Sequence, residues 1–259
     1  MAREGGAVSG AAGTGARRAV PGWVSLVPLL VLWEAVGRAD VALFIPPLSR
    51  VAVTWWKLAG DGTLWKAMST SLVALVQGFG LALLVGIPLG TAMGRLRAVQ
   101  YVCDPYVNVL TSAPLSALVP ILIALFGVKD TVVTATVFLF AVSVIVVNCM
   151  AGVKGVDRSI LEMARVFGAT PLQFFAKILL PAALPAILVG AHLGAMQAVK
   201  GMVVGEMLVS LVGLGERLVY YGNTFLILHL YAVILTVVVL ALLAAQLVHL
   251  ADRALIRWK

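Results

Sequence analysis

The chain has 259 residues, of which 62% are hydrophobic and only 12% charged. A soluble domain is about 45–50% apolar and about 25% charged, so this composition excludes one and indicates an integral membrane protein. The net charge of +8 does not mark a nucleic-acid binder, because the basic residues are scattered between apolar runs, as membrane-orientation signals are.

Residues 1–22 are rich in Gly, Ala and Ser, carry Arg3, Arg17 and Arg18, and are expected to form a disordered cytoplasmic tail. Arg17-Arg18 ahead of an apolar run mimics a twin-arginine signal. Glu34 interrupts that run and no cleavage site follows, so a retained first span is expected instead. Residues 23–259 then form one membrane domain.

A membrane-spanning helix needs about 20 mostly apolar residues. The sequence offers about six such stretches and therefore an all-α membrane fold. The first runs from about Trp23 to Phe44 and carries Glu34, Arg38 and Asp40. An outer segment, Ile45 to Met68, follows; Pro46-Pro47 break the chain there, and Ser49 is placed to cap a short interfacial helix with Val51, Trp55 and Leu58 on one side. The second span lies within the 28 uncharged residues between Lys66 and Arg95. Gly78, Gly86, Gly90 and Gly94 share one stripe of it, which predicts close helix packing.

The third span lies between Asp104 and Lys129 and carries Pro105, Pro114 and Pro120, with Thr111 and Ser112 beside the middle proline. Internal prolines free backbone carbonyls, and such breaks are tolerated where the backbone packs on protein or lines a cavity. Ser112 and Pro114 are therefore candidates for a translocation path. The fourth span, between Asp130 and Lys154, contains Asn148, and the fifth runs from about Ala182 to Leu211. The fifth holds His192, Gln197, Lys200 and Glu206, and ionisable groups at membrane depth face a bundle interior or an aqueous route. Lys200 and Glu206 are separated by about 600° around the helix axis, so they do not pair on one face. Lys200 would favour an anion. The sixth span occupies much of the 34 uncharged residues between Arg217 and Asp252. Cys103 and Cys149, at or inside apolar runs, suggest neither a disulfide framework nor a metal site.

With the N-terminus inside, the cytoplasmic segments hold twelve Lys and Arg against six outside, which places both termini and the 153–183 segment in the cytoplasm. That segment has strong local signals. Ser159 followed by Glu162 reads as a capping box, Gly168 as a helix stop, and Thr170, Pro171 and Gln173 as a second start. Pro181 and Pro185 are expected to close the unit, leaving two short helices around a glycine turn.

Glu162, Ala164, Gly168, Ile178, Leu180 and Pro181 resemble the "EAA loop" of ABC importer permeases, with Met163 as the one departure. The resemblance extends over nearly all of residues 43–259, through FIPPLSRV, GTLWKAMSTSL, the glycines 78 to 94, APLSALVPILIALFGV, Asn148, VVGEM, the GLG at 213–215 and the terminal RW. It points to the branch associated with nitrate, aliphatic sulfonates, taurine and thiamine pyrimidine precursors. The resemblance implies a type I (MetI-like) permease core in a bacterial inner membrane and a second permease copy completing the pore. It also implies two ATPase subunits docked on the 153–183 loop and an extracytoplasmic substrate-binding protein. ATP and Mg would be bound by the ATPase, leaving this chain without cofactor or catalytic residue. Coupling would rest on Ser159, Glu162, Ala164, Gly168, Thr170, Ile178, Leu180 and Pro181, and the pathway on Ser112, Pro114, Asn148, Gln197, Lys200 and Glu206.

The branch usually has arginine near the positions of Ala74, Ser112 and His192, an aromatic residue near Lys200, and a proline near Ser143. These departures cluster in the spans, so the coupling assignment is carried further than any substrate. Two other functions compete. A stand-alone ion-coupled transporter would want mid-membrane carboxylates, and Glu206 is the only one in the second to sixth spans. A membrane-embedded metalloenzyme would want clustered ligands, whereas His192, His229 and His249 are dispersed. No phosphate-binding G-x-x-x-x-G-K-[ST] occurs, as expected of a permease that leaves nucleotide to its partner.

Overall fold

A computed structural model describes residues 26–39, 44–209 and 213–255, and every regular element among them is helical. The chain divides into two compact units, Met1–Ser49 and Arg50–Lys259. The predicted tail, residues 1–22, lies outside the described residues.

In the first unit, α1 (Leu26–Arg38) forms the middle of the expected first span, whose flanks are outside the described residues. Its charges find local partners. The Arg38 Nε donates to Glu34 Oε1 at 2.6 Å, and Ser49 donates to the same carboxylate through its amide at 3.0 Å and its hydroxyl at 2.8 Å. The Pro46-Pro47 turn packs on Gly37, where a Cβ would lie 2.5 Å from Pro47, and the Trp33 indole donates to the Pro46 carbonyl. Ser49 is therefore not the expected cap: α2 (Leu48–Gly60) starts one residue earlier, and the hydroxyl is engaged by Glu34.

In the second unit, α2 presents Val51 and Leu58 to the interior while Trp56 stays exposed. A turn through Gly62, at φ +80°, leads into α3 (Thr63–Arg95), a single helix through the predicted second span. The predicted third span is not one kinked helix. It is α4 (Arg97–Ser112), a break at Ala113-Pro114, a 3-10 turn (Leu115–Leu118) and α5 (Val119–Phe126), with a 99° bend between the two halves. Pro114 marks the break because its fixed φ and missing N–H end the α4 ladder, while Pro120 sits harmlessly in the first turn of α5. Then follow α6 (Asp130–Lys154), α7 (Arg158–Val166), α8 (Pro171–Gln173), a π turn (Phe174–Leu179), α9 (Leu180–Val209), α10 (Leu214–Asn223) and α11 (Ile227–Leu255). Among the described residues, four helical stretches are long and apolar enough to cross a membrane, or five if the bent α4–α5 pair counts as one. The indole of Trp55 donates to Thr236 Oγ1 at 3.0 Å, tying α2 to α11.

The core is built on α6, which packs most extensively against α9 and α3. Lipid supplies little hydrophobic drive between helices, so close backbone approach has to supply the packing. Glycine provides it on both flanks. A Cβ at Gly78 would lie 2.6 Å from the Thr134 carbonyl, at Gly90 2.6 Å from the Val146 carbonyl, and at Gly94 2.6 Å from Val153 Cβ. From the other side, Cβ atoms at Gly194 and Gly201 would lie 2.6 Å from Ile145 Cγ1 and 2.9 Å from Phe140 Cβ. Along α3 these partners advance in the same sense on α6, so the two run parallel; along α9 they run backwards, so that pair is antiparallel. The stripe predicted from sequence is thus the α3–α6 contact, and α9 carries a second one.

Candidate functional site

The segment between α6 and α9 combines sharp helix ends with exposed apolar side chains. Asp157 caps α7, its Oδ1 accepting the Ser159 amide at 2.9 Å. That bond holds the Asp157 carboxyl below the usual carboxylate range. The predicted Ser159–Glu162 capping box is corrected by this: the helix starts at Arg158, so Ser159 and Glu162 lie inside its first turns rather than at cap and N3. Aspartate two residues before the serine is an equally good cap, and its position was the available signal. At the other end Gly168 has φ +70°, and the Ala169 amide reaches the Ala164 carbonyl at 3.1 Å in a Schellman closure. The second capping box is present, with Gln173 N donating to Thr170 Oγ1 at 3.3 Å and Thr170 N to Gln173 Oε1 at 3.1 Å.

Pro181 and Pro185 do not close the unit as expected. Helix continues from Pro171 to Val209, with a π turn at Phe174–Leu179 in between. Pro181 has no N–H to offer the Lys177 carbonyl four residues back, and a wider turn is one way a helix absorbs that loss. Ile178 lies in the π turn, and Leu180 and Pro181 open α9. The loop is thus continuous with α9. Ala164 is buried at 4% exposure, while Met163, Val166, Phe167 and Leu172 stand out at 55%, 85%, 83% and 77%. Glu162 and Ser159 are exposed beside them. The Arg95 guanidinium, in the last turn of α3, lies 5.2 Å from the Phe174 ring and 5.7 Å from the Phe175 ring.

The candidate pathway residues do not form one cluster. Ser112 is exposed at the end of α4 and Pro114 sits at the break. Asn148 is half-buried where α6 meets Gly190 and donates to its own helix, at the Val144 carbonyl, 2.8 Å away. Gln197 is half-buried and Lys200 exposed on α9. Glu206 is buried at 2% exposure, and its Oε2 accepts the Gly215 amide at 2.8 Å. The neighbouring Leu214 amide donates to Ser71 Oγ at 2.9 Å. Glu206 and Ser71 together satisfy the first two amides of α10, amides that helix geometry leaves unpaired, and the carboxylate complements the helix dipole. The glycines of the GLG sequence permit this: Gly213 has φ +119°, and a Cβ there would strike the Glu206 carboxylate. A cavity of about 250 Å³ lies alongside, lined by Ser69, Thr70, Gln77, Asp130, Thr134 and Glu206. Ser71 was missed from sequence because 143 residues separate it from Leu214.

Residues 78–257 match the family described as the binding-protein-dependent transport system inner membrane component. The chain belongs to that family. This permease is 30% identical over 198 residues to the taurine transport system permease protein TauC of Escherichia coli K12, covering 74% of this chain and 72% of that one. It is 29% identical over 238 residues to the riboflavin transport system permease protein RibX of Chloroflexus aurantiacus, covering 91% and 89%. Among solved structures it resembles an inward-facing MetNI methionine ABC transporter, with a TM-score of 0.59 and 22% identity over 75% of this chain and 94% of that one. The expected MetI-like permease fold is therefore correct, and the protein is a transport permease of the ABC importer class. The stand-alone secondary transporter is not favoured.

Proposed function

We propose that this permease couples import of a small anionic solute, of the taurine or sulfonate type, to ATP hydrolysis by separate ATPase subunits docked on α7 and the Gly168 turn. The exposed apolar set Met163, Val166, Phe167 and Leu172 carries this reading. An exposed apolar patch marks a protein or membrane contact, and on a short, doubly capped segment between two spans it suits a docking surface. Ala164, tucked inward, sets the helix close to the body of the protein, and Glu162 and Ser159 supply polar contacts at the rim. Gly168, Thr170, Ile178, Leu180 and Pro181 make the segment stiff enough to pass a displacement into α9.

In this reading the segment faces the bacterial cytoplasm with both termini, a substrate-binding protein delivers solute to the opposite side, and a second copy of the permease completes the pore. Lys200 supports the anion preference: a lysine exposed on a spanning helix faces water or protein rather than lipid. Ser112, Pro114, Asn148 and Gln197 would line other stretches of the route. Glu206 contributes wall rather than charge, since its carboxylate caps α10. The chain itself needs no cofactor in this scheme, ATP and Mg belonging to the partner.

The test is purification of the tagged protein from its native membrane in mild detergent. An ATPase that co-purifies in equal amount, and is lost when Val166 and Phe167 are both changed to Asp, supports the reading. Uptake into vesicles driven by an ion gradient without any ATPase would sink it.

A further inference from the structure

We propose that Arg95 is a positioning residue that gives the coupling segment a second output, into α3, in addition to its covalent output into α9. The inference rests on the coupling reading above.

Chain continuity explains how a push on α7 reaches α9: the helix runs on through the π turn. Nothing covalent carries it to α3, which also grips α6 through its glycine stripe. Arg95 bridges that gap. It ends α3, and its guanidinium lies within the roughly 6 Å range of a cation–π contact for both Phe174 and Phe175, the first two residues of the π turn. The base of Arg95 is fixed, because a Cβ on the preceding Gly94 would lie 2.6 Å from Val153 Cβ and 3.0 Å from the Met150 carbonyl. The stack therefore joins a firmly seated helix end to the one irregular turn between the docking surface and α9. A π turn is a local irregularity inside a helix, and such turns are frequent at functional sites. A shift there moves the two rings, and Arg95 moves with them. Helix-dipole compensation by a basic last turn is the plainer role for Arg95, and lysine would fill it equally well.

The experiment reads nucleotide-dependent labelling by a membrane-impermeant maleimide, so no solute need be known. Reporters are Gln77→Cys on α3 and Lys200→Cys on α9, each in a Cys103→Ser background and reconstituted with the co-purified ATPase. In the parent protein both reporters are expected to change labelling rate between the ATP-free and ATP–vanadate states. Arg95→Met removes both ring contacts and should cut the response at position 77 by at least about two- to fivefold, the change in an equilibrium expected from a single exposed cation–π contact. The response at position 200 and the ATPase yield should stay at parental levels. Phe174→Leu with Phe175→Leu should do the same, and combining them with Arg95→Met should add nothing further. Arg95→Lys should fall between, whereas a pure dipole role predicts full activity for it. An unchanged response at position 77 in either assembled variant overturns the inference. Equal loss at both reporters overturns it too. Absence of any ATPase or nucleotide response in the parent protein instead refutes the coupling reading beneath it.

Discussion

Glu206 accepts the amide of Gly215 at 2.8 Å, nine residues further along the chain, and thereby serves as the cap of a helix to which it does not belong. The closure leaves no room for side chains on Gly213 or Gly215: a Cβ on the latter would lie 2.8 Å from the Val203 carbonyl. The carboxylate, two glycines and Ser71 form one unit.

Glu206→Gln keeps an acceptor for the Gly215 amide and should fold with a small loss of stability. Glu206→Leu leaves that buried N–H without a partner and should cost about 1–3 kcal/mol. Gly213→Ala should be at least as damaging, since its backbone region is essentially reserved for glycine and costs other residues on the order of 1–3 kcal/mol before the clash with the carboxylate. Thermal unfolding in detergent, followed by fluorescence, ranks the three.

The glycine contacts predict a contrast within α3. Gly90→Val drives side-chain atoms into Cys149 and the Val146 backbone and should destabilise by about 1–3 kcal/mol, the usual cost of overpacking. Gly80→Ala meets nothing within 4 Å and should be neutral within about 0.5 kcal/mol. Equal effects at the two positions would contradict the α3–α6 packing.

Val166→Asp with Phe167→Asp should abolish ATPase co-purification while leaving the melting temperature of the permease alone unchanged. Both side chains are more than four-fifths exposed, at 85% and 83%, so the free chain loses no packing. A fall in melting temperature matching the loss of partner would mean that the patch is structural.

The Asp157 cap makes the start of α7 sensitive to acid. Its pKa is depressed in the folded state by the Ser159 amide, so the cap contributes fully above the ordinary aspartate pKa and is lost as pH falls through the depressed value. Exchange at the Ser159 and Leu161 amides, corrected for intrinsic rate, should rise below the carboxylate range in the native chain. Asp157→Asn, which caps without titrating, should remove that dependence.

What was legible in the sequence was local. Gly168, the Thr170–Gln173 box and the α3 glycine stripe are each specified within one or two turns of helix, and each stands where it was expected. The Ser159 cap failed by two residues, because Asp157 competes for the same job within the same few residues. Pro181 misled for a different reason: a proline forbids one hydrogen bond, and a π turn is a way around it that composition does not reveal. The 99° bend after Ser112 needed the positions of α5 and α6, not the prolines alone. The links between Ser71 and Leu214, or Arg95 and Phe174, join segments far apart in sequence and leave no periodic trace.

The parallel register of α3 and α6 has a mechanical result. Gly78 meets Thr134, only four residues into α6, whereas α3 began fifteen residues before Gly78. At a rise of 1.5 Å per residue, α3 therefore overhangs its neighbour by about 16 Å. The 250 Å³ cavity lies at this ledge, between Ser69 and Thr70 above and Asp130 below. At the far end of the same pair, Gly90 and Gly94 clasp Cys149 and Val153 without slack. Glycine contact therefore runs unbroken from Gly78 to Gly94, and only the overhanging turns of α3 stand clear of α6, so among the described residues a solute-sized opening into this helix pair exists at one end alone.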